Sequence, residues 1–529
     1  MQARMTNSPQ CDTDVLVVGA GPTGLVLALW LARLGVRIRV IDKAPEAGTT
    51  SRALAVQART LEFYSQLGIA DGVVEQGRWA KAANLWTRGR RTAHIDFGVL
   101  GAGLSPFPYA LIYPQDEHER YLIDRLTELG VPVERSTELV GFQHADLSIR
   151  TQIARPDGTR EFCRVAYIAG CDGARSVVRE RLGIGFPGGT YEHTFYVADV
   201  EATGQTVNGE VNVALDRSDF LVMFPLHGEN RARLVGTVRD QDVLHKTDLG
   251  WDDVSRKVLD RLRIDVKKVN WFSTYRVHHR VAEHFRGGRA FLLGDAAHIH
   301  SPVGGQGMNT GIGDAVNLAW KLAAVLRGAH PSLLESYETE RIGFARHLVE
   351  TTDQAFTQVT SSRASARLFR MQFAPLFGPL FFSFPSARRL VFRTVSQTAI
   401  HYRGSQLSKG VAGAVHGGDR LPWVRPSDPN NQSDNFAPLR SLDWQVHVYG
   451  DVKPALQAEC ERRGLALHVF PYSPQARSVR LRRNAAYLVR PDGYVALAEP
   501  DGNPEPFAAF LDVRVLSPLR APAPPHQLV

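Results

Sequence analysis

The chain has 529 residues, of which 44% are hydrophobic and 22% are charged, so it is long enough for roughly two to four domains of an ordinary globular protein. Its net charge of +8 is spread over scattered lysines and arginines, without the dense basic run of a nucleic-acid-binding protein. No apolar stretch reaches the roughly 20 residues of a membrane span, and residues 1–12 lack the apolar core of a signal peptide. We therefore predict a cytoplasmic protein that binds no nucleic acid and has no membrane span.

The first elements form a β-α-β unit between residues 14 and 43. The short β-branched run Val15–Val18 predicts a buried strand, the stretch Leu25–Leu34 predicts a helix, and Arg37–Ile41 predicts a second strand. A carboxylate, Asp42, follows the second strand directly. This order is typical of the start of a doubly wound α/β fold.

Three glycines join the first strand to the helix in the pattern Gly19-x-Gly21-x-x-Gly24. The first permits a tight turn, the second lets the backbone approach a pyrophosphate, and the third lets helix and strand pack closely. The helix N-terminus supplies N–H groups to an anion, and Asp42 is placed to accept hydrogen bonds from ribose hydroxyls. The unit predicts dinucleotide binding and leaves open whether the nucleotide is FAD or NAD(P).

The middle of the chain predicts β-structure outside this unit. Residues 78–97 read as strands of a separate sheet, and residues 211–238 read as three short antiparallel strands. The inward face of the second group is either the set Phe220, Val222 and Phe224 or the set Leu221 and Met223, because a period of two does not choose a face.

A second informative stretch covers residues 289–326. The buried strand Ala290–Leu293 delivers Gly294-Asp295 at its end, where ligands of doubly wound folds bind. A glycine-rich loop, Ser301–Gly313, then leads into an amphipathic helix for which Asp314 is the predicted N-cap. Such a loop brings backbone N–H groups and the positive end of a helix against a flat anionic group.

The histidines and cysteines predict no metal site and no dithiol. His298 and His300 have no carboxylate or cysteine at ligand spacing, so we interpret them as structural. The cysteines, which form no CxxC pair, are Cys11, Cys163, Cys171 and Cys460. We expect them to be reduced thiols.

Three motifs in this order resemble those of the FAD-dependent group A aromatic hydroxylases, the family of para-hydroxybenzoate hydroxylase. They are the glycine turn after the first strand, Cys171-Asp172-Gly173-x-x-Ser176 with Arg179, and Gly294-Asp295-Ala296-Ala297 with its glycine loop. The layout is most similar to phenylpropionate and polyketide hydroxylases. No second GxGxxG follows, which is typical of a family without a separate nicotinamide domain.

The resemblance implies a set of residues for non-covalent FAD. These are Gly19, Gly21, Pro22, Gly24, Asp42, Lys43, Arg52, Gln115, Val140, Asp172, Asp295, Pro302, Gly305, Gly307, Met308 and Asn309. Asp295 would bind the ribityl chain, and residues 305–309 would line the pyrimidine edge of the isoalloxazine ring. The flavin carries the chemistry, with Arg52 and Pro302 as supporting residues. From its position alone, Arg52 is either a cofactor contact or an exposed surface charge.

The implied reaction is hydroxylation of a phenolic or polyketide-type aromatic substrate by O2 through a flavin hydroperoxide, with NAD(P)H as the transient reductant. Baeyer–Villiger oxidation or epoxidation on the same scaffold, and a non-catalytic flavin-binding protein, remain alternatives. The substrate, the position hydroxylated and the choice of NADH or NADPH stay open. Phe220, Val222 and Phe224 are candidate substrate contacts.

The predicted fold is α/β, with a Rossmann-like FAD-binding domain interleaved with a mixed-sheet substrate domain and followed by a thioredoxin-like domain. The first comprises residues 1–72, 112–185 and 287–400, and the second comprises residues 73–111 and 186–286. Residues 404–518 form the third domain, with the predicted order strand 444–449, helix 454–463, strand 466–470 and hairpin 486–496, which turns at Pro491-Asp492-Gly493. Tyr449-Gly450-Asp451 stands in place of a CxxC in this domain. We interpret this domain as structural, with homodimer contacts as a candidate role, and the proline-containing tail 519–529 as disordered.

Overall fold

The computed structural model describes residues 12–48, 53–87, 89–215, 220–238, 249–254, 256–301, 305–360, 383–426, 434–514 and 516. Arg52, Pro302 and the tail 519–529 lie outside these residues. Strands up to residue 170 are β1 Thr13–Val18, β2 Ile38–Ile41, β3 Ala55–Val56, β4 Arg78–Ala80, β5 Ala82–Thr87, β6 Arg90–Asp96, β7 Ala110–Ile112, β8 Val133–Glu134, β9 Glu138–Ala145, β10 Ser148–Ala154 and β11 Arg160–Gly170.

The remaining strands lie in two groups. Those between residues 188 and 299 are β12 Gly188–Gly204, β13 Val211–Leu215, β14 Phe220–Pro225, β15 Arg231–Val238, β16 Ile264–Val281, β17 Arg286–Gly287, β18 Ala290–Leu292 and β19 His298–Ile299. Those after residue 400 are β20 Lys409–Ala412, β21 Val415–His416, β22 Gln445–Tyr449, β23 Ala466–Phe470, β24 Ala486–Val489 and β25 Val495–Glu499.

Helices cover the sheets and connect them. They are α1 Pro22–Arg33, α2 Ala58–Leu67, α3 Ala70–Gln76, α4 Phe97–Gly101, α5 Gln115–Glu128, α6 Val177–Arg181, α7 Arg256–Leu262, α8 Gly307–Leu326, α9 Glu335–Thr360, α10 Pro385–Val395, α11 Pro454–Arg463, α12 Pro474–Ser478 and α13 Glu505–Arg514. Across the described part of the chain, none of them combines the length and the hydropathy required to cross a bilayer.

The first sheet has the strand order β17-β18-β11-β1-β2-β8, and β10 and β9 extend it from β11. Strand β1 pairs in parallel with both β11 and β2, as expected for a doubly wound fold. Its apolar run Val15–Val17 is completely buried, because helices cover the sheet. The β-α-β unit predicted from the sequence is therefore confirmed.

The second sheet has the order β19-β16-β12-β15-β14-β13-β5-β6. On one face, Leu221 and Met223 of β14 pack against Val258 and Leu259 of α7. On the other face, the alternate side chains of the same strand pack in a cluster with Leu54, Ala80 of β4 and Ile112 of β7. The sequence left open which set of side chains faces which side of the sheet. Packing places Leu221 and Met223 on the face covered by α7, and Phe220, Val222 and Phe224 on the opposite face.

The prediction that residues 78–97 form strands of a separate sheet is partly wrong. Strands β5 and β6 do belong to the second sheet, but β4 pairs with β7 in a small sheet of order β3-β7-β4. Strand β3 pairs with β7 from its other side. Non-local pairing with a strand about 30 residues away leaves no local signal in the sequence.

The third sheet has the order β21-β20-β25-β24-β22-β23. Strand β22 pairs in parallel with β23 and antiparallel with β24, and β24 pairs antiparallel with β25. The predicted order strand, helix, strand, hairpin is present, and α13 follows it. Its thioredoxin-like identity and the three domain boundaries stay predictions.

Candidate functional site

The turn after β1 is shaped by its glycines. Gly19 has φ of +103°, and a Cβ on it would lie 2.3 Å from the Cys171 carbonyl oxygen. A Cβ on Gly24 would lie 2.0 Å from the Gly19 carbonyl oxygen. A Cβ on Gly21, in contrast, would meet no atom within 4 Å. Internal packing therefore explains Gly19 and Gly24, whereas Gly21 borders open space in which a phosphate fits.

Helix α1 begins at this open space. Its N-cap, Gly21, provides no side-chain hydrogen bond, and Pro22 occupies the first turn. The free N–H groups of the first turn carry the positive end of the helix dipole. This arrangement of N–H donors and positive helix end suits the pyrophosphate of a dinucleotide.

Asp42 lies beside the glycine turn, directly after β2. Its Oδ2 accepts a hydrogen bond from Ala20 N at 2.7 Å, and its Oδ1 accepts one from Ala44 N at 2.8 Å. Thr137 N donates to the Asp42 carbonyl at 2.9 Å, which brings the chain leading to Val140 alongside. Two backbone bonds fix the carboxylate and leave it lone pairs for ribose hydroxyls. The neighbouring Lys43 is exposed.

Asp295 lies at the end of β18 in a 3₁₀ turn, Gly294–Ala296. It is exposed, whereas residues on both sides of it are buried. Gly294 has φ of +58°, and a Cβ there would lie 2.7 Å from Thr23 Oγ1 in α1. The turn therefore packs directly on the start of α1, so Asp295 and the glycine turn belong to one site.

The motif Cys171-Asp172-Gly173-x-x-Ser176 with Arg179 connects these two turns. Ser176 Oγ accepts a hydrogen bond from Arg179 N at 3.0 Å and caps α6, and Asp172 Oδ2 accepts one from Val178 N at 3.1 Å. Arg179 Nη1 donates to the Ala296 carbonyl at 2.8 Å. Burial raises the pKa of Asp172. Within this geometry the motif supports local structure, and the FAD contact that the resemblance implies for Asp172 stays a prediction.

The prediction that Asp314 caps a helix is wrong. Helix α8 begins at Gly307, and Asp314 lies inside it, completely buried. Its Oδ2 accepts hydrogen bonds from Gly294 N at 3.0 Å and His298 Nε2 at 2.7 Å, and its Oδ1 accepts one from Arg341 Nε at 2.6 Å. Burial opposes ionisation, but Arg341 and His298 hold the pKa of Asp314 below its ordinary value.

Close packing explains why a glycine-rich stretch is helical here. A Cβ on Gly311 would lie 2.3 Å from Thr23 Oγ1, so this part of α8 tolerates no side chain. Glycine is a poor helix former, and the sequence alone therefore predicts a loop. Packing of α8 on α1 overrides that propensity.

The first turn of α8 begins after Gln306. Gln306 at the N-cap makes no side-chain capping bond, so the N–H groups of Gly307, Met308 and Asn309 keep their donor capacity. The Asn309 amide itself is occupied, because its Oδ1 accepts from Gln57 N at 2.9 Å and its Nδ2 donates to the Ala55 carbonyl at 2.8 Å. Only the backbone at this position is available to a ligand.

His300 points toward the same helix end. Its Nδ1 donates to the Ser301 carbonyl at 2.7 Å, which leaves Nε2 as an acceptor. Nε2 is buried without a partner among the described residues, and a Cβ on Gly307 would lie 3.6 Å from it. Burial lowers the pKa of His300 to about 4, so the ring is neutral. No sequence signal predicts this orientation.

Gln115 begins α5 and contacts Ala53, which precedes β3. Its Nε2 donates to Glu119 Oε1 at 2.7 Å, and its N–H donates to the Ala53 carbonyl at 3.1 Å. Gly305, with φ of +61°, would place a Cβ 2.9 Å from that of Ala55, so the connection before α8 lies against β3.

The candidate substrate residues share one face of the second sheet. Phe220, Val222 and Phe224 form an apolar cluster with Leu54 and Ile112. Phe220 also joins a second cluster, which contains Phe195 and Tyr275. Leu54 precedes Ala55, whose carbonyl accepts a hydrogen bond from Asn309 in the first turn of α8, so the cluster adjoins the segment that contacts this helix end.

Two polar groups border this apolar face and were missed from the sequence. Arg233, 2% exposed, forms a bidentate ion pair with Asp199 at 2.6 and 2.8 Å. Tyr191 donates a hydrogen bond to Asp353 of α9. Burial raises the pKa of Tyr191, and the Asp353 carboxylate raises it further. The His279 ring lies against that of Tyr191, with ring centroids 4.8 Å apart and the ring planes tilted by 59°. These contacts join residues more than 30 positions apart, so spacing does not reveal them.

Known proteins share this architecture. Residues 12–352 match the family model described as an FAD binding domain. A 6-methylpretetramide 4-monooxygenase from Streptomyces rimosus is 37% identical over 92% of this chain and 91% of its own length. A flavin-dependent monooxygenase from Mycobacteroides abscessus is 32% identical over 92% of this chain and 97% of its own.

Among solved structures, anhydrotetracycline hydroxylase from Streptomyces rimosus superposes with a TM-score of 0.77 at 27% identity, covering 95% of this chain and 99% of that one. An aromatic hydroxylase from angucycline biosynthesis gives a TM-score of 0.71 at 26% identity, covering 92% and 96%. The fold and the site thus define a flavoprotein monooxygenase. The chain belongs to the FAD-dependent aromatic hydroxylases and uses FAD, with NAD(P)H as reductant, as the resemblance implied.

Proposed function

We propose that this protein hydroxylates a polycyclic phenol of the polyketide type, consuming one NAD(P)H and one O2. The observation that carries the proposal is the apolar face formed by Phe220, Val222 and Phe224 with Leu54, which precedes Ala55, a contact of Asn309 in the first turn of α8. Flat aromatic rings bind well against such a surface. When bound, FAD supplies the electron transfer from NAD(P)H and the activation of O2.

In this proposal the protein holds FAD with residues of three segments: the β1–α1 turn, the end of β2 and the turn after β18. Gly21 and the first turn of α1 bind the pyrophosphate, Asp42 the adenosine ribose and Asp295 the ribityl chain. The open space at Gly21 and the exposure of Asp295 support these roles. The positive end of α8 stabilises negative charge at the pyrimidine edge of the ring. Arg52, Gln115 and Pro302 keep the roles that the resemblance implies.

The chain itself orients the substrate and excludes water. The apolar face and Leu54 enclose the aromatic rings, and the two polar groups Arg233–Asp199 and Tyr191–Asp353 offer hydrogen bonds to substrate oxygens at its border. Excluding solvent matters because water discharges the activated oxygen without product. We expect a substrate with several fused rings and oxygens on its edge.

Greater similarity to a relative named for a polycyclic substrate supports such a substrate over a single ring. The 6-methylpretetramide 4-monooxygenase is 37% identical over 92% of this chain, whereas a pentachlorophenol 4-monooxygenase from Sphingobium chlorophenolicum is 35% identical over 65%. The proposal therefore includes faster NAD(P)H oxidation with 6-methylpretetramide than with pentachlorophenol. The predicted homodimer and cytoplasmic location belong to the same proposal.

Isotope labelling tests the reaction. Holoenzyme, NADPH or NADH and the more active of the two compounds are incubated under heavy O2 in ordinary water, and then under ordinary O2 in heavy water. We expect one heavy oxygen atom in the product of the first incubation and none in the second. Heavy oxygen that comes only from water would refute monooxygenation, and a lactone or epoxide product would favour the alternatives on this scaffold.

The substrate face is tested by a pair of neighbouring variants. Phe224→Ala removes a ring from the proposed binding face, whereas Met223→Ala removes a side chain that packs against α7 on the other face. We expect the KM for the accepted compound to rise about tenfold in Phe224→Ala, since burial of an aromatic ring is worth about 1.5–3 kcal/mol. Met223→Ala should lower the melting temperature and leave KM near the wild-type value. Equal KM values in both variants would contradict the assignment of the face.

A further inference from the structure

The hairpin of the third sheet reaches the helices of the first. Residues 490–493, which form the turn between β24 and β25, lie against α2, α8 and α9. Arg59 Nη2 donates to the Asp492 carbonyl at 2.7 Å, and Gln66 Nε2 donates to the Pro491 carbonyl at 3.2 Å. Both donors come from α2, so this helix binds the backbone of the turn.

The side chains of the same turn form a buried ionic cluster. Arg490 donates to Glu340 of α9 at 2.8 and 3.0 Å and to Asp492 at 2.6 and 3.0 Å. Lys321 of α8 donates to Glu340 at 2.8 Å. All four side chains are at most 1% exposed. Two positive and two negative charges balance, which is the condition under which such a cluster is stable in a protein interior.

Helix α8 has a second bond to the hairpin. Trp320 Nε1 donates to Asp492 Oδ2 at 3.1 Å. Lys321 and Trp320 lie in the second half of α8, whereas its first turn contains Gly307, Met308 and Asn309, which the resemblance assigns to FAD. A helix is a rigid rod over this length, so a restraint on one end orients the other.

A second path runs from the hairpin to the turn after β18. The Arg490 guanidinium lies 5.3 Å from the ring centroid of Tyr402. The Tyr402 hydroxyl accepts a hydrogen bond from Arg341 Nη1 at 2.9 Å, and Arg341 Nε binds Asp314 at 2.6 Å. Asp314 in turn accepts the N–H of Gly294 at 3.0 Å. Each member is buried, so water does not compete for these bonds.

We propose that the hairpin at residues 490–493 positions the FAD site, holding α8 and the Gly294 turn in the FAD-binding geometry before the cofactor arrives. Asp492 and Tyr402 are then positioning residues that act through Trp320 and Arg341. A preformed site binds more tightly because less ordering is required on binding. The third domain, interpreted from the sequence as structural, thereby contributes to cofactor affinity.

Trp320→Phe tests the first path, with Trp444→Phe as its matched control. Both indoles are at most 1% exposed, and their centroids lie 5.5 Å apart at 90°. Trp444 Nε1 has no hydrogen-bond partner among the described residues, so only the first variant removes a bond. We expect the FAD Kd of apoprotein to rise about tenfold in Trp320→Phe and to stay within about twofold in Trp444→Phe.

Tyr402→Phe tests the second path, with Tyr487→Phe as its control. The Tyr487 hydroxyl accepts from Arg482 N at 2.9 Å and donates to the Ala412 carbonyl at 3.1 Å, so its bonds stay within the third domain. Both variants lose a buried hydroxyl, and we expect both to lower the melting temperature of apoprotein. Only Tyr402→Phe should also weaken FAD binding, by about tenfold.

FAD affinity is measured by quenching of flavin fluorescence on apoprotein, and folding by thermal unfolding without FAD. The melting-temperature gain at saturating FAD gives a second readout of affinity. The two pairs are independent, so either one decides the question when a variant of the other does not fold. FAD Kd values that are alike in test and control variants would show that the hairpin acts on stability alone and would overturn the proposal.

Discussion

At the scale of single residues, exposure distinguishes binding from packing. Asp295 is exposed among buried neighbours at the end of β18, whereas Asp314, 19 positions later, is completely buried and ion-paired. Both are acidic residues of the same stretch. From the sequence, Asp295 was predicted to bind a ligand and Asp314 to cap a helix. Burial and partners show instead that Asp314 supports the turn on which Asp295 is presented.

Replacing Asp295 should weaken FAD binding directly. Asp295→Ala removes an acceptor for ribityl hydroxyls, so we expect a loss of about 1–3 kcal/mol in FAD binding. Asp260→Asn on α7, which changes an exposed carboxylate away from the site, is the control. Fluorimetric titration of apoprotein measures both Kd values. An unchanged Kd in Asp295→Ala would refute the assignment.

A buried histidine should make the protein sensitive to acid. His118 is completely buried beside Tyr64, and burial lowers its pKa from 6.5 to about 3. Below pH 6.5 the unfolded chain therefore binds a proton that the folded protein does not, and stability falls as the pH falls. From these two pKa values the loss is about 2 kcal/mol at pH 5 relative to neutral pH, and it is absent above pH 6.5.

His118→Gln should remove this part of the acid sensitivity. Melting temperatures near pH 7 and near pH 5 are compared in the wild type, in His118→Gln and in a control, His401→Gln, which changes an exposed histidine. We expect a smaller drop between the two pH values in His118→Gln alone. An equal drop in all three proteins would show that His118 is not the group responsible.

At the scale of elements, the β1–α1 turn contains two glycines with different functions. Gly24 is required by packing, since a Cβ would overlap the Gly19 carbonyl oxygen at 2.0 Å. Gly21 has φ of −77°, and a Cβ on it would meet no atom within 4 Å, so the fold itself accepts alanine there. Packing within the chain therefore does not account for Gly21, and the proposed pyrophosphate contact does.

Alanine at these two positions should separate folding from binding. Gly21→Ala should leave the melting temperature of apoprotein near that of the wild type and raise the FAD Kd at least about tenfold, because the pyrophosphate approaches the backbone there. Gly24→Ala should destabilise apoprotein by about 1–3 kcal/mol, the range for an overpacked site. Thermal unfolding and FAD titration measure the two effects. A Gly21→Ala variant with wild-type affinity would contradict the pyrophosphate assignment.

At the scale of the whole molecule, buried charges join the third sheet to the helices α8 and α9. We expect no thiol-disulfide chemistry in this part of the chain. Cys460, on α11, is 2% exposed, and burial together with Glu459 and Glu461 raises its pKa to about 11. The thiol is therefore protonated and a poor nucleophile at neutral pH. The structure describes Cys163, Cys171 and Cys460 as free.

Removing this thiol should not affect turnover. We expect Cys460→Ser to retain a hydroxylation rate within a few-fold of wild type, since a lone buried thiol has no partner for disulfide exchange. The rate of substrate-stimulated NAD(P)H oxidation and the thermal unfolding curve are recorded together. A large loss of rate in a variant that still folds would contradict this interpretation.

The amino-acid sequence determined the local elements and the cofactor class. The run Val15–Val18, the three glycines after it and Asp42 define a dinucleotide unit by themselves, because strand, turn and helix depend on residues close together in the chain. The turn Pro491-Asp492-Gly493 likewise predicted the β24–β25 hairpin. Both features were confirmed by the structure.

Tertiary structure alone decided which faces and partners these elements use. Whether Phe220, Val222 and Phe224 or Leu221 and Met223 face the flavin side follows from α7, which covers one face of the sheet. The helical state of residues 307–313 follows from packing on α1, against the propensity of glycine. The bonds from the 490–493 hairpin to α8 and α9 join positions more than 100 residues apart. Such contacts depend on how distant segments pack against each other. Local patterns in the sequence, which extend over neighbouring residues only, do not predict them.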